Sequence, residues 1–367
     1  MSNLIIQELE TTLKKKRVDL LLAYFGGTHS MLQPNYIHFI SGYKPISEAV
    51  LVLAPGARPQ LLLTGSGEIE LVATIDDCKE VATGDLAAAI SAWMQTVESQ
   101  ACSMVVVGHE ELRAELREAL PNLTANLVFD NRLVDEFALT RSAETLSYFE
   151  TGARIAQTGF TAMLNGIEEG KPEFVLAAEM EKMMFAQGAE DNFGMVSASA
   201  HNHAVHPPTD RPLRVGDIVL AEISPGYKGC YTQICRSAVL GPVSPAVQKN
   251  YDLLIKSFEN SLQEIVPGEP LSKACRTMNK VFIDAGYEQY CNPPYMRVRG
   301  HSFNFGCASP GNVTIDNHTI LQEGMIIVLH PNQYFPDTGY LMFGDTIRVG
   351  ARGPELLVKA DWGLRAL

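Results

Sequence analysis

The 367-residue sequence predicts an α+β chain of two domains. Over the first third, short apolar runs alternate with helix-period segments. Beyond it, long amphipathic stretches alternate with strand pairs, and the pattern changes near residue 138. The domains are therefore expected at residues 1–137 and 138–367. Hydrophobic residues make up 46% of the chain and charged residues 19%, close to globular averages, which excludes general disorder.

In the first domain, Asp19 to Ala23, Ala49 to Leu53, Gln60 to Leu63 and Met104 to Val107 read as strands. Ile5 to Arg17, Leu86 to Val97 and Glu110 to Ala119 read as helices between them, which predicts an α/β domain with a mixed sheet. In the second domain, Ser142 to Gly166, Glu173 to Gly188, Ala246 to Val266 and Ser272 to Gly286 carry helical period. Gly188 and Gly286 stand where a glycine ends a helix in the left-handed conformation. Asp217 to Ser224 and Gly229 to Leu240 flank Pro225-Gly226, a predicted hairpin turn. Met325 to His330 and Tyr340 to Val349 form a second predicted pair.

With 29 basic against 42 acidic residues, the net charge of -13 disfavours nucleic acid and anionic membranes as partners. Met1 to Lys16 carries acidic residues and lacks the apolar core of a signal peptide. Asp19 to Phe25, among the longest apolar stretches, is far short of the roughly 20 residues that cross a bilayer. The seven cysteines show no CxxC spacing, so free, mostly buried thiols and a cytoplasmic location are expected.

Four polar stretches of the second domain are candidates for chemistry. His201, His203 and His206 cluster ahead of Pro207-Pro208, a pattern suited to metal binding or proton transfer. In the hairpin, alternation puts Leu220, Glu222 and Ser224 on one face and Tyr231, Gln233 and Cys235 on one face of the partner. Glu222 interrupts an apolar run, so its carboxylate needs a partner or a proton. The third stretch is Arg297 to Gly306, where Arg297 and Arg299 are candidates to clamp an anion and Gly300 precedes His301, Ser302 and Phe303. The fourth is His330-Pro331-Asn332, directly after an apolar run.

Taken in order, these stretches resemble the pita-bread family of creatinase, aminopeptidase P, prolidase and methionine aminopeptidase. The likeness is carried by Asp210-Arg211-Pro212-Leu213-Arg214-Val215-Gly216-Asp217, by Gly300-His301-Ser302-Phe303, and by Leu321-Gln322-Glu323-Gly324-Met325 followed by His330-Pro331. It covers about residues 140–360, and implies a creatinase-like α/β domain followed by a pita-bread domain. Family metallopeptidases hold two metal ions with Asp, Asp, His, Glu and Glu. Those columns correspond here to Glu222, Gln233, His301, His330 and Gly344, and a further histidine column to Ala308. A neutral amide and a glycine cannot supply the charge that two divalent ions need.

The resemblance to creatinase, which cleaves a C–N bond without metal, implies a metal-independent hydrolase or lyase of a small polar, amino-acid-like, guanidino or ureido metabolite, with no cofactor. The catalytic histidine column falls at Val205 or His206, with His203 the nearby alternative. Expected roles are His206 as general base or proton shuttle, Glu222 as the group that orients a histidine or the nucleophilic water, and His301 and His330 as stabilisers of negative charge or proton donors to a leaving nitrogen. His203, Tyr231, Gln233, Cys235, Arg297, Arg299 and Phe303 are expected to bind substrate. Two alternatives stay open: a mononuclear metalloenzyme or prolidase relative with altered ligands Glu222, His301 and His330, and a non-catalytic binding module. The resemblance also implies a homodimer, with Tyr36 to Lys44 reaching the neighbour's site and Tyr43 and Lys44 as candidates to face it; His38 itself is expected to pack in the core.

Overall fold

The computed structural model describes residues 2–28, 35–72, 79–96, 103–138, 143–302 and 310–367. The chain divides into two compact units, Met1–Ala138 and Leu139–Leu367.

The first unit runs α1 (Ser2–Lys16), β1 (Leu20–Phe25), α2 (Tyr36–Ser41), β2 (Ala49–Leu53), β3 (Gln60–Leu63), α3 (Ile69–Val72), β4 (Lys79–Ala82), α4 (Leu86–Thr96), β5 (Ser103–Val107), α5 (Ala114–Ala119), β6 (Asn126–Phe129) and α6 (Arg132–Phe137). Its six-stranded sheet has the order β4-β3-β2-β1-β5-β6, antiparallel at β1–β2 and β2–β3 and parallel elsewhere. All six residues of β1 are buried, because both faces of the sheet are covered. Leu21, Ala23 and Phe25 pack with Leu9 and Leu13 of α1 and Ile37 and Ile40 of α2. Leu20, Leu22 and Tyr24 pack with Ile90, Trp93 and Met94 of α4. Tyr43, expected to face a neighbouring subunit, is buried in its own unit, where its hydroxyl donates to Glu68 at 2.6 Å. His38 is only partly buried on α2.

The second unit contains α7 (Ala143–Gly166), α8 (Glu173–Ala186), β7 (Asp191–Ser199), β8 (Ile218–Tyr227), β9 (Cys230–Tyr231), β10 (Ile234–Val239), α9 (Pro245–Leu262), α10 (Ser272–Asp284), β11 (Gly300–Ser302), β12 (Ile326–Leu329), β13 (Gln333–Phe335), β14 (Gly339–Leu341), β15 (Asp345–Gly350), β16 (Gly353–Leu356) and β17 (Arg365–Ala366). Gly188 and Gly286 follow α8 and α10 with φ of 91° and 89°. Ser244 caps α9 by accepting the Val247 N–H at 3.2 Å, with Pro245 at the first turn.

The predicted hairpin forms, but its turn lies elsewhere. Pro225 and Gly226 continue β8, and the chain reverses at Lys228-Gly229, both at positive φ (48° and 73°). Two consecutive left-handed residues match the twist of a two-residue hairpin better than a proline turn does.

Two sheets frame the unit, β17-β10-β8-β7 and β11-β12-β15-β16, and β13 and β14 form a separate ribbon. Strand alternation sorts the core. Val219, Ala221 and Ile223 face α7 and α8 through Ile155, Phe160, Leu176 and Met180. Ile218 and Leu220 face the other way, into a core with Leu254, Phe258, Met278, Ile327 and Ile347. Glu222 and Ser224 belong to that second face by the two-residue period. Among the described residues no helix is long and apolar enough to cross a membrane, and Cys235, Cys275 and Cys291 are buried free thiols.

Candidate active site

The two sheets join along one seam. Gln233 N–H donates to Thr346 Oγ1 at 2.7 Å, which donates back to the Gln233 carbonyl at 2.9 Å. Cys235 and Gly344 exchange backbone hydrogen bonds, and Ser237 Oγ donates to the Met342 carbonyl at 3.0 Å. Each step of two along β10 therefore meets a step of two backwards toward β14. The polar residues of both sheets collect above this seam.

Glu222 lies directly across the ladder from Cys235 and from Met195. It is half-buried, and burial pushes its carboxyl up to about 7. Burial raises the Cys235 thiol, and the neighbouring Glu222 charge adds to that rise. Gln233 is 1% exposed; its Oε1 accepts from Ser224 Oγ at 3.1 Å, and its Nε2 donates to Cys235 Sγ at 3.3 Å. His301 on β11 and His330 after β12 meet edge to face, with ring centroids 5.3 Å apart. Burial lowers His301 to about 4, and burial together with His301 lowers His330 to about 3, so both are neutral imidazoles at pH 7.

The structure thus gathers Glu222, Gln233 and Cys235 on one side of the seam and pairs His301 with His330. It separates other expected members. His206 is exposed, its Nδ1 meeting the Pro207 carbonyl at 2.8 Å rather than a carboxylate, so it is not placed as the expected base. His203 is exposed and stacks on Tyr334 at 5.9 Å. Tyr231 donates its hydroxyl to Asp191 at 2.9 Å, four residues along the hairpin from Cys235. Arg297 is exposed.

Arg299 is a correction. It is fully buried, and its guanidinium donates to Asn279 Oδ1 at 2.7 Å, the Asn332 carbonyl at 2.7 Å and Gln333 Oε1 at 2.8 Å. Those bonds make it a strut beneath the site, because a guanidinium committed to three internal acceptors is not a substrate clamp. Phe303 and Ala308 lie outside the described residues.

Asn332 entered the sequence reading only as part of the His330-Pro331-Asn332 stretch, and Tyr340 escaped it as a functional group. Asn332 Nδ2 donates to Cys235 Sγ at 3.8 Å while its Oδ1 accepts the Phe343 N–H at 3.0 Å. Burial raises the Tyr340 hydroxyl, and the nearby Glu222 and Cys235 charges add to that rise. The sole local signal for Tyr340 was the Asp337-Thr338-Gly339 turn that folds β14 back on β13.

The architecture defines a two-unit pita-bread protein. The model of metallopeptidase family M24 matches residues 147–351, and the chain belongs to that family. It is similar to the Xaa-Pro dipeptidase of Pyrococcus furiosus, 23% identical over 62% of this chain and 66% of the relative. It is 26% identical to the creatinase of a Bacillus species over 69% of this chain and 64% of that one. These matches span just under two thirds of each relative's length. The solved Xaa-Pro dipeptidase from Bacillus anthracis superposes with a TM-score of 0.83 at 20% identity, covering 100% of both chains.

Membership of a metallopeptidase family poses the question of whether these residues fit metal ions. They do not. Among the described residues no group of three or more His, Cys, Asp or Glu is placed to hold a metal ion. The single-ion set Glu222, His301 and His330 is therefore not gathered either. Gly344 has no room for a ligand: a Cβ there would lie 2.5 Å from the Leu329 carbonyl oxygen and 2.6 Å from His330 Cβ.

Proposed function

We propose that this chain hydrolyses a C–N bond of a small, polar, amino-acid-like substrate, as a prolidase relative with altered residues at Glu222, His301 and His330 that works without the family's two-metal centre. The observation that carries the reading is Glu222, a half-buried carboxyl raised to about 7 at a site where the family resemblance places the other acidic columns at Gln233, His330 and Gly344. A carboxyl with that affinity for protons can take one from water and return it to a leaving nitrogen near neutral pH. The neutral His301 and His330 rings supply hydrogen bonds to the reacting group without adding charge.

The dipeptidase relatives support an amide-like bond over the guanidino bond of creatinase. The protein is proposed to act as a homodimer on a small-molecule substrate in the cytoplasm, which light scattering and fractionation test.

The deciding experiment compares chelator-treated and untreated protein on Xaa-Pro dipeptides, N-carbamoyl amino acids and creatine, with bound metal counted by mass spectrometry. Activity that survives chelation and disappears in Glu222→Gln is expected. One equivalent of a transition metal per chain, with activity that needs it, would sink the reading.

A further inference from the structure

The sheet of the first unit carries a cavity that the hydrolase scheme leaves unused. β1, β3, β4, β5 and β6 run in one direction, and among the described strands β2 alone runs against them, so five carboxyl ends share one edge. From β1 the chain builds outward through β2, β3 and β4, then returns by α4 to place β5 on the other side of β1. In open sheets of this kind ligands bind outside the carboxyl ends, where the strand order reverses.

The cavity, of about 350 Å³, opens on that edge and is large enough for a small molecule. It is formed by the segments that follow β3, β4 and β5, together with Glu48 just before β2. Glu48 is itself committed: its carboxylate accepts from the Tyr24 hydroxyl at 2.6 Å and pairs with Arg113 Nε at 3.4 Å. That pair spans the reversal point, joining the β1–β2 connection to the β5–α5 connection. The two terminal nitrogens of Arg113 have no acceptor among the described residues, which leaves a charged fork at the cavity.

Two carboxylates stand on the same cavity. Asp85 caps α4 through Oδ1, which accepts the Ala88 N–H at 2.9 Å, and its Oδ2 is uncommitted. Glu115 has no ion-pair or hydrogen-bond partner among the described residues. Leu86 and Leu116, both buried, add an apolar wall. One cation, two anions and an apolar wall match a zwitterion with an apolar side chain. A ligand with an anion alone would meet two carboxylates, and one with a cation alone would meet the guanidinium.

We propose that this cavity binds a free α-amino acid with an apolar side chain. Its carboxylate lies on the Arg113 fork, its ammonium on Asp85 and Glu115, and its side chain against Leu86 and Leu116. The site lies wholly within the first unit and serves binding alone; no bond is made or broken there.

The test titrates the full chain calorimetrically with L-leucine, with isocaproate, which lacks the amine, and with isoamylamine, which lacks the carboxylate. The cavity is expected to take one leucine per chain, and either analogue roughly 10–100-fold more weakly, the cost of losing one charge-assisted contact. Arg113→Gln should weaken leucine by the same factor with the thermal midpoint unchanged. Gly84→Leu gives an independent check. Gly84 lines the cavity and a Cβ there would meet no atom within 4 Å, so the new side chain has room to fill the space and should abolish binding. Glu222→Gln, a change in the second unit, should leave leucine binding as it is. Leucine binding that survives Arg113→Gln and Gly84→Leu but disappears in Glu222→Gln belongs to the hydrolase site and overturns the proposal. Absence of leucine binding at millimolar concentration overturns it as well. Isocaproate, isoamylamine or inorganic phosphate binding as tightly as leucine overturns the zwitterion class and the proposal with it.

Discussion

Cys235 and Gly344 exchange both backbone hydrogen bonds, at 3.0 and 2.9 Å, and so stitch the two sheets of the second unit together directly beneath Glu222. The glycine at which the family resemblance places a carboxylate ligand is also the residue whose missing side chain lets Leu329 and His330 lie against it. A carboxylate restored at Gly344 alone would therefore meet the Leu329 carbonyl and His330 before it could hold a metal ion.

Gly344→Ala tests that packing. The new methyl would meet the Leu329 carbonyl oxygen and both Cα and Cβ of His330, so the backbone itself has to give. Overpacking of this kind costs about 1–3 kcal/mol, to be read from urea unfolding. Gly344→Glu should be at least as destabilising and still bind no Mn²⁺ by calorimetry. A Gly344→Ala protein as stable as the parent would mean that Leu329 and His330 pack more loosely against Gly344 than these contacts indicate.

Much of the fold was legible because burial writes itself into strands and helices. Ala49–Leu53 and Gln60–Leu63 match their predicted bounds, since each is an apolar run in a sheet covered on both faces. Asp191–Ser199 was missed: only three of its nine residues are buried, and its mixed composition carries no clean period. At the site, Glu222 stood out as one charge in an apolar strand. Arg299 misled, because a sequence does not distinguish an arginine aimed at a ligand from one sunk under it. Tyr340 was hidden by a different cause, since it lies on a three-residue strand paired with another of three residues, too short for alternation to show which way a side chain faces.

Arg299 yields the second prediction. Its three donated hydrogen bonds fix Asn279, Asn332 and Gln333, and its guanidinium lies 4.6 Å from the Phe282 ring centroid. Arg299→Lys keeps the charge but loses the planar fork, and each buried acceptor left unmade costs about 1–3 kcal/mol. Stability should fall by more than one such step, and activity should fall with it because Asn332 is released. A lysine variant of parental stability and activity would reduce Arg299 to a bystander.

A third prediction concerns the buried pair Arg236–Asp345, 2.6 Å apart with the guanidinium 5.0 Å from the Phe343 ring centroid. Arg236 also donates to the Cys235 and Gly344 carbonyls, so it braces the seam from below. Removing one partner of a buried pair costs about 3–5 kcal/mol, and Arg236→Met should show it in denaturant unfolding. Because burial already raises the Asp345 carboxyl, the variant should lose less at acidic pH, where that carboxyl protonates. Equal losses at pH 5 and pH 8 would contradict this account.

The pH dependence separates Glu222 from the histidines. The folded Glu222 carboxyl stands at about 7, above its ordinary 4.5. The folded state therefore holds a proton that the unfolded state has released between those values, and stability from this group is lost as pH rises through that window. His301 and His330 have the opposite sign. Lowered from 6.5 to about 4 and about 3, they are neutral when folded, so acidification below 6.5 favours the unfolded chain. Glu222→Gln should gain stability relative to the parent as pH rises from 5 to 8, and His330→Gln should flatten the acid-side loss. For catalysis, the same assignments place one ionisation near 7, belonging to Glu222, and none from these two histidines between 5 and 8. Thermal midpoints and pH–rate profiles of the two variants check both statements. A limb near 7 that persists in Glu222→Gln would assign the proton to another group and displace Glu222 as the base.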